Sequence, residues 1–308
     1  MTTSDATRKR SQPDASRGPF HPGEIAAQQR AGGGSAGGAI RDAMPDQHRR
    51  FFAALPFVVV ATTDAGWPVA TIWTGAPGFV ASPDPRSLHI AVALDPTDPA
   101  SRAFRPGAPF GLLGIELATR RRNRANGTIT EGDAGGLAIT VHQSFGNCPN
   151  YIHPRALVAP AAASVAAAAP AEPLHGLDAA AAAAITAADT FFVASAARTD
   201  EPTGGVDVSH RGGPPGFVRL AGDTLTIPDY AGNRYFNTLG NLLASPRAAM
   251  LFVDFASGDL LHLQGTTEIR WDGPEVGDLD GAERLWRFHL ERGWRRPGAL
   301  RLRWAAIG

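Results

Sequence analysis

The chain has 308 residues, which is long for one small domain and comfortable for two. Basic and acidic residues number 29 each, so the formal net charge is zero and the basic excess of a typical nucleic-acid binder is missing. The single cysteine, Cys148, excludes an intrachain disulfide and a multi-cysteine zinc cluster.

A lone cysteine fits a reducing, cytoplasmic setting. Residues 1–17 are polar and lack the apolar core of a secretory signal, and no stretch is apolar enough to span a membrane. In chain order, residues 1–19 read as a disordered tail. The run Phe20-His21-Pro22-Gly23-Glu24 opens a helical pattern through Arg30, and a Gly-rich loop follows, giving a segment over 20–44. Two blocks come next, 45–155 and 178–275, joined by an Ala- and Pro-rich linker over 156–177. A Trp- and Arg-rich segment, 276–308, ends the chain. Its Trp286, Trp294 and Trp304 read as anchors onto the blocks or onto a partner.

The two blocks read as copies of each other. Pro77-Gly78-Phe79-Val80 answers Pro215-Gly216-Phe217-Val218 at an offset of 138, and the same offset pairs Gly127-Thr128 with Gly265-Thr266. Each copy opens with a helical pattern, 45–55 or 178–189, and then enters an apolar run. Strands are expected at 57–62, 69–73, 88–92, 110–117 and 123–130. In the second copy they are expected at 205–210, 216–220, 224–227, 249–255 and 260–269. One helix interrupts each copy, near 99–104 and 233–244. The pattern is mainly β with inserted helices, in the form of two small barrels.

The richest polar segment runs from Asp229 to Asn241. Asn233, Asn237 and Asn241 are spaced by four, so on the expected helix they share one face, with Arg234 and Thr238 beside it. Asparagine is a poor helix former, and three on one stripe ask for a reason. A helix N-terminus attracts anions, and Arg234 adds a fork of donors that suits a phosphate. A second element, Val206 to Gly213, ends a strand in polar residues. There Ser209 and Arg211 face one side and His210 the other. A third, 143–152, is dense in polar and aromatic residues, as loops lining a cleft often are.

Several residues read as structural. Cys148 has no sequence-adjacent base and reads as a small buried hydrophobe. The basic run Arg120-Arg121-Arg122-Asn123-Arg124 reads as a solvated face or an interface, and His210 and His262 as satisfied structural residues.

The stretch 191–270 resembles the FMN-binding split β-barrel of the pyridoxamine 5'-phosphate oxidase-like superfamily. The likeness is carried by Asp207-Val208-Ser209-His210-Arg211-Gly212-Gly213, Pro215-Gly216-Phe217-Val218, Leu225-Thr226-Ile227-Pro228-Asp229 and Gly232-Asn233-Arg234 with Asn237-Thr238. Phe20-His21-Pro22-Gly23-Glu24 and Ser144-Phe145-Gly146-Asn147-Cys148-Pro149 resemble segments of a larger subgroup. The resemblance implies FMN as cofactor, its phosphate near Arg234 and Asn233 and its ring near the strand of Ser209. It does not imply pyridoxamine phosphate oxidation, because no matched set of residues for that substrate's phosphate is present.

The expected activity is that of a flavoprotein oxidoreductase or flavin-dependent reductase. It would work on a small redox substrate with NAD(P)H or a reductase as partner, and no general acid or base can be assigned. The alternatives are a non-catalytic flavin carrier or sensor, and the same barrel holding haem or a deazaflavin. The two copies are expected to pack face to face as a pseudo-dimer, with Tyr151 reaching the cofactor from the first copy; homodimerisation stays open. One flavin per chain is expected, because the first copy has Asp95-Pro96-Thr97-Asp98-Pro99 where the second has Gly232-Asn233-Arg234.

Overall fold

A computed structural model describes residues 18–158, 170–197 and 204–307. Most of the tail expected over 1–19 and the middle of the expected linker lie outside these residues. The chain begins with helix α1 (Pro22–Arg30), then α2 (Asp46–Ala54) and strands β1 (Phe57–Asp64), β2 (Trp67–Thr74), β3 (Val80–Ala81) and β4 (Ser87–Ile90). A single 3-10 turn at Ser101–Ala103 precedes β5 (Pro109–Glu116), β6 (Arg121–Asp133) and β7 (Gly136–Gly146). Short strands β8 (Arg155–Val158) and β9 (Glu172–Leu174) follow, then helix α3 (Ala179–Ala187). The second half has β10 (Thr190–Ala196), β11 (Val206–Gly212), β12 (Arg219–Ala221), β13 (Thr224–Tyr230) and helix α4 (Asn237–Ala244). It ends with β14 (Arg247–Val253), β15 (Leu260–Arg270), helix α5 (Pro274–Gly277), β16 (Ala282–Arg296) and β17 (Arg303–Ala306).

Two antiparallel sheets carry the chain, and they share one connectivity. The first runs β2-β1-β5-β6-β7-β4-β3 and the second β11-β10-β14-β15-β16-β13-β12. Each strand of the first therefore has a counterpart in the second, and together they form two tandem split β-barrels. The register extends the match to single residues. Leu113 pairs Arg124, which pairs Phe145; Leu251 pairs His262, which pairs Trp294. Both sheets also carry a bulge at the same place, after Asn126 and after Gln264.

Apolar alternation sets how the barrels close and how they meet. One face of each sheet fills its own core: Val58, Val60, Phe110 and Leu112 in the first, Phe191, Val193, Trp286 and Phe288 in the second. The opposite face joins the two. Phe57, Val59, Ile72, Leu113 and Ile115 pack with Phe192, Val208, Leu251 and Val253 in one buried cluster. The contact is pseudo-symmetric, with β11 against β5 and β2 against β14. Polar bonds follow the same symmetry: Asn126 donates to Asp207 at 2.6 Å, and Gln264 donates to the Pro68 carbonyl at 2.6 Å.

Three expectations need correction. The segment 276–308 is not outside the barrel: β16 lies between β15 and β13 at the centre of the second sheet, with Trp286 fully buried. Its five arginines and a bulge obscure the period-2 pattern. The first part of the expected 143–152 loop belongs to β7. The linker edges also pair, β8 with β17 and β9 with β16.

Candidate functional site at the barrel junction

Helix α4 starts four residues later than the Asn spacing suggests. Arg234 and Phe236 hold φ of 59° and 61°, left-handed backbone that a right-handed helix cannot contain. Asn233 therefore lies in the loop before the helix, off the stripe of Asn237 and Asn241. Its side chain donates to Asn147 Oδ1 at 2.9 Å and accepts from Tyr235 N.

Asn237 and Asn241 do share a face, and α1 covers it. Asn237 Nδ2 donates to Glu24 Oε1, and His21 Nε2 lies 2.8 Å from Asn241 Oδ1. Asn241 also donates to Ser195 and to Asp207 Oδ2 at 3.0 Å. The helices approach closely because Gly23 faces Gly240, where a Cβ on Gly23 would sit 2.3 Å from the Gly240 carbonyl oxygen. Glu24 is buried beside Asp207, and burial pushes its carboxyl up to about 8. Asn241 thus belongs to a buried network behind the site rather than to its lining.

The other eight expected residues, Ser209, His210, Arg211, Asp229, Asn233, Arg234, Asn237 and Thr238, line one cleft at the junction of the barrels. Ser209 accepts from Thr238 Oγ1 at 2.9 Å and from Arg124 Nη2 at 2.7 Å. Asp229 is buried and ion-paired to Arg211 and Arg284. Arg234 lines the cleft, but its Nε and Nη2 are held by the carbonyls of Gly33 and Ala31 in the Gly-rich segment.

The first barrel contributes the wall that sequence reading set aside. The basic run is not a solvated face throughout. On β6, alternation sends Arg122 and Arg124 to one side, and both enter the cleft. Arg124 is buried over the Phe145 ring, and loss of water lowers its pKa to about 10, so it stays charged at neutral pH. Arg122 donates 3.0 Å to His210 Nδ1 and lies 3.8 Å from Cys148 Sγ. Burial and the neighbouring arginines hold His210 well below the usual imidazole range, hence neutral. Cys148 is half-buried in the cleft wall rather than in the core. The i, i+2 spacing of Arg122 and Arg124 was the available signal for this wall.

Five residues that line the cleft carry a buried nitrogen without a partner: Arg122 Nε, Arg124 Nε, Arg211 Nε, His210 Nε2 and Asn147 Nδ2. Buried polar groups are rarely left unpaired, and a set of N–H donors on clustered cations suits an anionic ligand such as a phosphate. The donor chemistry fits FMN. The internal volume is about 110 Å³, below the roughly 300–1,000 Å³ of small-molecule pockets, so a flavin-sized ligand requires outward movement at the mouth. Tyr151 and Tyr230 stack there with centroids 5.1 Å apart. A roomier apolar cavity of about 450 Å³ lies between α3 and β14, but its two arginines, Arg155 and Arg295, are already ion-paired with Asp189 and Asp178.

Residues 177–302 match the pyridoxamine 5'-phosphate oxidase family model. The second barrel belongs to the pyridoxamine 5'-phosphate oxidase-like split-barrel superfamily. The matched span runs past 275 and takes in β16, as the sheet does. A search of the curated proteins returns no match. Among solved structures, the chain is similar to a Clostridium acetobutylicum protein of the pyridoxinephosphate oxidase family, related to general stress protein 26. The two are 16% identical over 42% of this chain and 92% of that one, with a TM-score of 0.29. It is also similar to an FAD-binding protein of Mesorhizobium loti (13% identity, 41% of this chain and 96% of that one, TM-score 0.29). HupZ of Group A Streptococcus is 18% identical over 39% of this chain and 90% of its own, with a TM-score of 0.28. Among the described residues, no helix is long and apolar enough to cross a membrane.

Proposed function

We propose that the junction cleft binds FMN and that the protein is an FMN-dependent oxidoreductase acting on a small redox substrate, with NAD(P)H or a reductase as electron partner. The observation that carries this reading is the convergence of unpartnered buried donors from Arg122, Arg124 and Arg211 on one cleft of a flavin-type barrel. Arg124, Ser209, Thr238 and Asn237 form the deep polar end and would hold the phosphate. Asn233 and Arg234 form the neighbouring loop wall. Arg234 would act mainly by fixing that loop, since two of its nitrogens hold carbonyls of the N-terminal segment. His210, held neutral, offers a donor without adding charge. Tyr151 and Tyr230 would cover the mouth and limit water.

When bound, FMN would supply the hydride or electron transfer, and the protein placement and electrostatics. The polar deep end and the arginines favour a phosphate-bearing flavin over haem. The test is reconstitution of the purified chain with FMN, followed by stopped-flow mixing with NADH and NADPH. Tight FMN binding with rapid bleaching supports the oxidoreductase. Tight binding without bleaching by either donor supports the flavin carrier instead, and absence of flavin binding removes both.

A further inference from the structure

The duplication that builds the junction cleft must also build a twin, related by the pseudo-symmetry of the sheets. Paired registers give its residues one by one. Ser209 corresponds to Thr71 and Arg211 to Trp73, each on the edge strand of its sheet. Arg122 corresponds to Leu260 and Arg124 to His262. Phe145, beneath the Arg124 guanidinium, corresponds to Trp294, which stacks on His262 at 4.8 Å. Two residues further along the chain, Asn147, bonded to Arg122, corresponds to Arg296, paired with Leu260.

The correspondence is functional down to single bonds. In the cleft, Thr238 from the segment after β13 donates to Ser209. In the twin, Thr71 donates to Asp98, from the segment after β4, at 2.6 Å. Yet the charges are inverted. Three cleft arginines are replaced by Leu260, His262 and Trp73. Burial holds His262 down to about 4, so it carries no charge. The one cation the twin gains, Arg296, is buried and bound to both Asp95 and Asp98, the latter at 3.0 Å. The buried nitrogens left without a partner here are Arg296 Nε, Trp294 Nε1 and His262 Nε2, all on side chains that are themselves buried.

From this correspondence we infer that the first copy keeps the architecture of a ligand site but that side chains of the second copy seal it. The Arg296 guanidinium, clamped between Asp95 and Asp98 and backed by Trp294 and His262, occupies the twin as a built-in plug. The protein therefore takes its anionic ligand at one cleft per chain. The first barrel serves as the wall of the second barrel's site and not as a second site. The stoichiometry rests on the FMN reading, whereas the plug does not.

Two measurements test it. In the first, Arg296→Ala is melted with and without millimolar ethylguanidinium. Removing one partner of a buried ion pair should lower Tm by about 5 °C or more. Ethylguanidinium, which can refill the vacated space between Asp95 and Asp98, should restore part of the loss, and equal concentrations of sodium chloride or urea should not. An unchanged Tm, or rescue by salt alone, overturns the plug. Should Arg296→Ala not fold, Arg296→Lys keeps the charge but loses the two-pronged clamp, and a Tm equal to wild type overturns the inference in its place. In the second, FMN is titrated against the wild-type chain. Saturation at one per chain supports the sealed twin, and two per chain overturns it. No binding at all removes the FMN reading and leaves the rescue experiment to decide the plug.

Discussion

Arg124 is the residue on which the cleft turns. It is buried, charged, stacked over Phe145 and bonded to Ser209, and its Nε has no partner. Charge-assisted hydrogen bonds contribute about 1.5–3 kcal/mol, so Arg124→Ala should weaken FMN binding by about tenfold or more in a fluorescence titration. Arg234→Ala should have a smaller direct effect, because its donors are already engaged with Gly33 and Ala31. Equal losses in the two variants would mean that the phosphate lies against the loop and not against the first barrel's wall.

Glu24 sets a pH dependence of stability. Its folded pKa is about 8, above the ordinary value of 4.5, so the folded state holds a proton that the unfolded chain releases. Its contribution is fully present below about pH 4.5 and is lost as the pH rises to about 8, where it levels off. The groups facing it are Asp207, which opposes its ionisation, Arg124, which favours it, and His21. Glu24→Gln, which stays neutral, should flatten the fall of Tm between pH 5 and 8 in thermal melts. A profile as steep as wild type would place the titration elsewhere.

At the scale of elements, α1 and α4 hold each other through two glycines. A Cβ on Gly240 would meet the Glu24 backbone at 2.5 Å. Neither backbone can move without breaking the Asn237–Glu24 and Asn241–His21 bonds. Gly240→Ala should destabilise the protein by about 1–3 kcal/mol in denaturant unfolding. It should also weaken ligand binding, because α1 and the Gly-rich segment position the strained loop at Arg234. The sequence carried half of this element's logic. Asn237 and Asn241 do share a face four residues apart, but that face meets α1, whose contacting residues lie 213 and 220 positions away in sequence, a partner that periodicity alone could not supply. The start of α4 was not legible, because the left-handed turns at Arg234 and Phe236 are held by contacts with Gly33 and Ala31 and not by local propensity.

For the whole molecule, the apolar faces of the two sheets form a single buried cluster. β8 also ties the end of the first half to β17 at the end of the second. A protease site placed between residues 159 and 169 should therefore be cut without separating the halves, which should co-elute on size exclusion until denaturant is added. Two independently eluting halves would contradict the joint core.

The sequence by itself determined the fold class, the duplication and most strand positions, because alternation and a fixed offset are local properties of the chain. It also flagged eight residues that line the cleft, since polar residues at strand ends and before a helix are visible one segment at a time. What it could not determine was which segments face each other. Arg122 and Arg124 read as a solvated face or an interface, β16 as part of a C-terminal segment outside the blocks, and Arg296 had no reading of its own. Arg124 and Arg296 acquired their roles where one copy meets the other, through pairings of residues 85 and 201 positions apart, and β16 by pairing with β15 and β13 inside the second sheet. Tertiary structure decided the site because its charges are buried by the second copy, and burial is what turns an arginine from a solvated group into a ligand donor or a plug.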